Sequence, residues 1–270
     1  MNEKNYKDLV RLVLNHGVEK RSRAGKTLSV TGTMLRLDMQ TGFPILTGRK
    51  MHWEGVLAEL VGFLRGYTTA EQFEALGCNY WRHNAFSDGN LGPIYGYQWR
   101  MFNGSCLNDQ LESVVLSLRK RSVARARQLV VSAWNPAEED EMCLPPCHYS
   151  FQVVPDYDRG TFSLIVNMRS VDVMLGLPSD MILYGFLMHV LQVDCNLWMD
   201  ELIFMMGDTH IYENHLDGAD EYLTRPTFAP PDVVLISNGP DDVYVIDSLE
   251  AKDFLVDRYV SQIPIKFALN

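Results

Sequence analysis

Cysteine is scarce in this sequence and odd in number: Cys78, Cys106, Cys143, Cys147 and Cys195 are all that 270 residues contain. That argues against a disulfide framework and for a reducing compartment, where one thiol is free to do chemistry. Positive charge is also short, 24 Lys and Arg against 34 Asp and Glu, so the formal charge is −10. Such a balance opposes non-specific attraction to nucleic-acid polymers and anionic membranes, so any anionic partner must meet a local basic cluster. No apolar run reaches the roughly 18 residues of a membrane span. The most apolar, Met181–Val193, carries His189 and Gln192 and reads as a core helix. Residues 1–15 lack the apolar core and small-residue cleavage site of a signal peptide and read as an amphipathic helix. Repeats, low-complexity segments and long Gly/Ser/Pro linkers are missing too, so residues 1–270 are expected to form one cytoplasmic domain.

Apolar spacing predicts helices over Trp53–Arg65, stopped by Gly66, and over Asp109–Lys120, whose buried face is Leu111, Val114, Val115 and Leu118. Strand patterns cover Leu28–Asp38, Leu129–Trp134, Cys147–Val154 and Thr161–Ser170, and later Glu201–Met206, Asp232–Ser237 and Asp242–Ile246. The Asp156–Gly160 turn is too short for a parallel crossover, and no regular βαβ rhythm exists. These features predict an α+β fold with helices flanking a mixed sheet.

Several residue groups can carry chemistry. Cys147 follows Leu144-Pro145-Pro146, where two prolines fix its approach and remove two backbone donors. The alternative is a small buried hydrophobe. Zinc is disfavoured because Cys143-xxx-Cys147 is no C-x₂-C pair. A dyad with His148 is disfavoured because adjacent strand residues face opposite ways. Arg119, Lys120 and Arg121 read as a solvated helix end, whereas Arg125, Arg127 and Arg169 sit at strand boundaries, where planar guanidiniums can grip a phosphate. Glu59 lies mid-helix on an otherwise uncharged face, so its carboxyl should titrate near neutrality unless it sits at the helix edge. His210 and Tyr212, two apart in a polar run, can bind a sugar hydroxyl together; no metal-ligating pattern such as H-E-x-x-H occurs.

Five segments in series then resemble one family: Gly92-Pro93-Ile94-Tyr95-Gly96-x-Gln98-Trp99-Arg100, Val131-Ser132-Ala133-Trp134-Asn135, Leu144-Pro145-Pro146-Cys147-His148, Arg169-Ser170-x-Asp172 with Leu175-Gly176-Leu177-Pro178, and Gly207-Asp208-Thr209-His210-Ile211-Tyr212. Their order and spacing, from about Arg21 nearly to the C-terminus, resemble the thymidylate synthases. The resemblance implies a homodimer packed through its sheets, a pyrimidine nucleoside 5′-monophosphate as substrate and 5,10-methylenetetrahydrofolate as one-carbon donor, with no metal. It makes Cys147 the nucleophile toward C6, with Arg169 beside the sulfur, Tyr95 aiding removal of the C5 proton and Glu59 acting through ordered water. Arg23, Arg125, Arg127 and Ser170 would hold phosphate, Arg127 reaching across from the partner subunit. His210 and Tyr212 would bind the sugar, and Trp81, Asn84, Asp172, Leu175 and Gly176 would line the folate site.

Departures from the family pattern sharpen the resemblance. Asp180 stands where the synthases carry an asparagine that bonds uracil O4 and N3–H. Cytosine offers an amino donor and an N3 acceptor instead, so a carboxyl group suits it. A mispaired buried polar group costs about 1–3 kcal/mol, enough to move preference toward cytosine tenfold to a hundredfold. The alternative is that Asp180 merely caps the Met181 helix. Asn84 replaces the second tryptophan of a folate-flanking pair, and the tail ends differently at Ile265–Asn270, so both changes admit water. The resemblance is therefore to the cytidylate hydroxymethylase branch, with the ribonucleotide reaction, methylation of dCMP and thymidylate synthesis from dUMP as rivals. Gln128, Met168 and Ser179 also depart from the pattern, and Arg21 is a substitute candidate for Arg23.

Overall fold

The computed structural model describes residues 2–22, 24–236 and 243–269. In chain order the helices and strands are α1 (Asn2–His16), β1 (Val18–Ser22), β2 (Gly25–Asp38), α2 (Trp53–Leu64), α3 (Ala70–Ala75), α4 (Tyr95–Met101), α5 (Gln110–Arg119), β3 (Val130–Ser132), β4 (His148–Asp156), β5 (Thr161–Asp172), α6 (Gly176–Cys195), β6 (Trp198–Tyr212), α7 (Leu216–Thr224), β7 (Asp232–Leu235), α8 (Val245–Ser248) and β8 (Phe254–Asp257). Six strands form one sheet in the order β1-β2-β6-β5-β4-β3, and β7 pairs with β8 separately. Among the described residues only β5 and β6 run parallel within the large sheet; its other pairs are antiparallel. The α+β fold on a mixed sheet is as the sequence predicts.

Strand alternation sorts the two faces of that sheet. Leu35, Phe204 and Val166 lie side by side on neighbouring strands, as do Leu37, Leu202 and Leu164, and all six are buried toward the helices. The intervening pair Met34 and Met205 points the other way and stays 51% and 43% exposed. Helix α6 is buried on nearly every side because it packs on α2, α5, α8 and the sheet. Each fully buried leucine or phenylalanine there contributes about 1.5–3 kcal/mol.

Besides shifts of a few residues at strand ends, three differences from the sequence reading bear on the fold. Helix α6 begins at Gly176, not Met181, because Pro178 fits the first turn, where its missing N–H is not needed. Strand β6 extends to Tyr212, so the polar run belongs to the strand and not to its end. The strand expected over Asp242–Ile246 is instead helical from Val245, Asp242 lying outside the described residues. The buried Asp194 carboxylate accepts the N–H groups of Val245 and Ile246 at 2.7 and 3.0 Å and so nucleates a helix start. Among the described residues no helix is long and apolar enough to cross a membrane.

Candidate active site

Prolines and an arginine aim Cys147. Pro145 and Pro146 lack N–H donors but keep their carbonyls, and Arg169 donates Nη2 and Nε to these two oxygens at 2.8 and 2.9 Å. That grip brings Nη2 to 3.9 Å from Cys147 Sγ. The backbone is tied as well: Arg169 N donates to Cys147 O at 2.9 Å, and Cys147 N donates to the Tyr95 hydroxyl at 2.9 Å. Tyr95 reaches this point because α4 sits flush on α2; a Cβ on Gly96 would lie 2.1 Å from Phe63 O. Burial pushes the Cys147 thiol up, Arg169 opposes it and Asp180 adds to it. Arg169 thus favours thiolate, as expected from sequence, but burial outweighs it in the free chain.

Asp180 lies in the second turn of α6, well past the N-cap position at Leu175. A capping role for Asp180 is therefore overturned. Its side chain is only 15% exposed, and His148 Nε2 stands 3.6 Å from Oδ1. His148 Nδ1 in turn pairs with the Tyr184 hydroxyl at 2.8 Å, and the Tyr95 ring stacks on the imidazole at 4.2 Å. Burial raises the Asp180 carboxyl well above the usual carboxylate range, and Glu59 and Asp172 push it further. Burial also drives His148 down to about 3, so the imidazole is neutral at pH 7. His148 turns to Tyr184 and not to the thiol, in keeping with the exclusion of a Cys-His dyad. Sequence reasoning missed Tyr184 and gave His148 no role. The available signal was the four-residue spacing of Asp180 and Tyr184, which puts both on one side of α6.

Glu59 is half-buried on α2, and the Trp81 indole N–H donates to Oε1 at 2.8 Å. Burial pushes the carboxyl up to about 7, with the Trp81 bond opposing. Titration near neutrality is what its uncharged helix face predicts. Asn84 is exposed just past the short 3₁₀ turn that carries Trp81.

The parallel pair β5 and β6 aligns a second group. Ser170 lies opposite Asp208 and Asp172 opposite His210. His210 and Tyr212 alternate onto one face, their rings 5.0 Å apart. Asp172 Oδ1 accepts from the N–H groups of Met174 and Leu175 at 2.8 and 3.3 Å and shapes the turn into Gly176. Arg125 and Arg127 do not join these residues, and neither is at a strand boundary: Arg125 ends a 3₁₀ turn and Arg127 follows it, both exposed and ahead of β3. Arg23 lies outside the described residues. No cluster of three His, Cys, Asp or Glu among the described residues is placed to hold a metal.

Known proteins share this arrangement of sequence. The thymidylate synthase family pattern matches residues 4–270. Thymidylate synthase of Enterobacteria phage T4 is 36% identical over 288 aligned positions, which cover 97% of this chain and 98% of that one. Both matches span the whole site, from the Glu59 helix to the strand of His210 and Tyr212. The chain belongs to the thymidylate synthase family, whose members use methylenetetrahydrofolate to transfer a one-carbon unit to C5 of a pyrimidine nucleotide.

Proposed function

We propose that this member is a deoxycytidylate 5-hydroxymethyltransferase, converting dCMP, methylenetetrahydrofolate and water to 5-hydroxymethyl-dCMP and tetrahydrofolate. The observation that carries the reading is Asp180: it is not a helix cap, it is buried beside His148, and its environment favours the protonated carboxyl. A neutral carboxyl can donate that proton to cytosine N3 while its other oxygen accepts from the 4-amino group. Folate supplies the methylene carbon when bound. Trp81, Asp172, Leu175 and Gly176 are the residues assigned to hold it, and Asn84, exposed beside the Trp81 turn, would let water approach.

In this scheme Cys147 Sγ adds to C6 as Asp180 protonates N3, which makes C5 nucleophilic toward the methylene carbon. Arg169 favours thiolate and holds phosphate together with Ser170 and Arg23. Tyr95, fixed by the Cys147 N–H, helps to remove the C5 proton. Glu59 takes a proton from the water that adds to the exocyclic carbon, and the sulfur then leaves C6. His210 and Tyr212 bind the sugar hydroxyl. The experiment is to supply methylenetetrahydrofolate with dCMP, CMP or dUMP in turn and identify both products by mass. Hydroxymethyl-dCMP with tetrahydrofolate is expected; a methylated base with dihydrofolate, or faster turnover of CMP or dUMP, would overturn the reading.

Arg127 is assigned to the neighbouring site of a homodimer that buries the outer sheet face bearing Met34 and Met205. Arg127→Ala is expected to raise the nucleotide KM roughly tenfold to a hundredfold, the worth of a charge-assisted phosphate contact. Mixing it with Cys147→Ala should restore about a quarter of wild-type activity, because random pairing makes half the dimers mixed and each has one whole site. Absence of recovery in refolded mixtures would return Arg127 to its own subunit.

A further inference from the structure

A buried histidine just ahead of α7 touches two parts of the chain that lie far apart in sequence. His215 is sealed from solvent, its ring 5.6 Å from that of Tyr212 and 5.0 Å from that of Phe267. Its Nε2 lies 2.8 Å from Ala268 O, and a carbonyl only accepts, so Nε2 carries a proton. Its Nδ1 faces Asp172 Oδ1 at 3.8 Å, within ion-pair reach. In the neutral ring Nδ1 then turns a lone pair toward that carboxylate, and in the imidazolium it turns an N–H. Only the charged ring serves both neighbours. Burial opposes the charge, but Asp172 and Ala268 outweigh it and raise the imidazole above its ordinary 6.5, with Arg49 opposing. The segment that bears Ala268 is seated as well. Gln262 N donates to Thr47 O at 2.8 Å, the Arg49 guanidinium lies 5.1 Å from the Phe267 ring centre, and that ring rests on Gly218 of α7. An added Cβ at Gly218 would stand 2.5 Å from Phe267 Cε1. Buried Arg49 also donates to Met174 O, so it ties the same segment to the turn that follows Asp172.

We propose that His215, as imidazolium, is a positioning residue for folate: it clasps residues 267–268 to Asp172 and fixes that carboxylate for a folate donor. The inference rests on the assignment of Asp172 to the folate site and on neither the nucleotide nor the product. Asp172 Oδ1 takes the N–H groups of Met174 and Leu175 and faces the imidazole, while Oδ2 accepts no hydrogen bond among the described residues. The clasp therefore restrains one carboxylate oxygen and leaves the other for the ligand. The titratable or charged groups around the ring among the described residues are Asp172, Arg49 and Tyr212, with Tyr6 of α1 and His210 of β6 beside Asp172. The N-terminal end of α7 works against a cation, as Arg49 does. Folate affinity due to the clasp is present below the raised midpoint of His215 and is lost as pH rises through it.

The first test needs no ligand. The imidazole resonances of His215 in the full chain should titrate with a midpoint above its ordinary value, and Asp172→Asn should lower that midpoint by about one pH unit or more. Gly218→Ala, which displaces Phe267 and alters neither charge, should lower it by about half a unit. The second readout is the KM for methylenetetrahydrofolate, taken with whichever of dCMP and dUMP the wild type converts held saturating. In wild type this KM should rise about tenfold from about pH 6 to about pH 9. In His215→Gln, which keeps an N–H for Ala268 O but no charge, it should be about tenfold higher than wild type near pH 6 and flat with pH. The nucleotide KM should stay within about twofold in that variant. An unmoved midpoint in Asp172→Asn, or a His215→Gln enzyme with the wild-type folate KM near pH 6, would overturn the inference. If Asp172→Asn leaves the folate KM unchanged, the folate assignment of Asp172 and the clasp fail together. If Asp172→Asn raises it and His215→Gln does not, the clasp fails alone.

Discussion

Glu59→Gln is expected to lower turnover by about a thousandfold and to raise stability in the same protein. General acid–base groups contribute roughly 10²–10⁴ to rate, and glutamine can accept the Trp81 indole bond but cannot take a proton from water. The stability effect follows from the same burial. The carboxyl sits near pH 7 in the folded chain against an ordinary value of 4.5, so the folded state binds the proton more tightly than the unfolded one. Stability from this group is therefore fully present below about pH 4.5 and is lost as pH rises to about 7, a difference of about 3 kcal/mol at most. Glutamine carries no charge at any pH and escapes that loss. The melting temperature of Glu59→Gln should exceed wild type by roughly 5 °C or more at pH 8 and match it near pH 5. Wild-type turnover should fall about tenfold per unit below pH 6, and the residual activity of the variant should be flat there. Equal melting temperatures at pH 8 would show that the carboxyl is not strained by burial.

What made this site legible before its geometry was local chemistry with a short reach. Cys147 stood out because of Pro145 and Pro146, and the same prolines turn out to offer the carbonyls that hold Arg169. Glu59 stood out because its helical neighbours carry no charge, and burial does raise it. Helix α5 and strands β2, β4 and β5 followed from periodicity because each has a wetter and a drier face, and α2, buried on nearly every side, followed from its apolar run and the Gly66 stop. The start of α6 did not, since Pro178 and Gly176 look like breakers until the first turn is placed. Strand β1 was invisible because all five of its residues are exposed and show no alternation. The helix at Val245 depends on Asp194, about fifty residues earlier, and the His148–Tyr184 bond joins positions 36 apart. Contacts of that kind are made by the fold and leave no mark in local sequence.

Asp180→Asn is expected to invert substrate choice. Asparagine keeps an acceptor and a donor and still fits either base in the ground state, but it cannot deliver a proton to cytosine N3 as Cys147 attacks C6. The loss should therefore fall on kcat for dCMP, by about a thousandfold, with little change in its KM. Uracil needs no proton at N3; it needs a donor to O4 and an acceptor for N3–H, which asparagine supplies at every pH and the carboxyl supplies only while it holds its proton. Turnover of dUMP should rise, so the ratio of kcat/KM for the two nucleotides should swing by roughly a thousandfold or more. His148 biases how asparagine can sit: its Nε2, 3.6 Å from the residue 180 side chain and beyond hydrogen-bond range, still favours an oxygen as the nearer atom when Nε2 carries the proton. The amide nitrogen then points to the base and meets O4 of uracil. His148→Phe in the Asp180→Asn background should release that restraint and reduce the swing toward dUMP by about tenfold, a fall readable from competition between the two nucleotides. An Asp180→Asn enzyme that still favours dCMP would show that base choice is made elsewhere in the site.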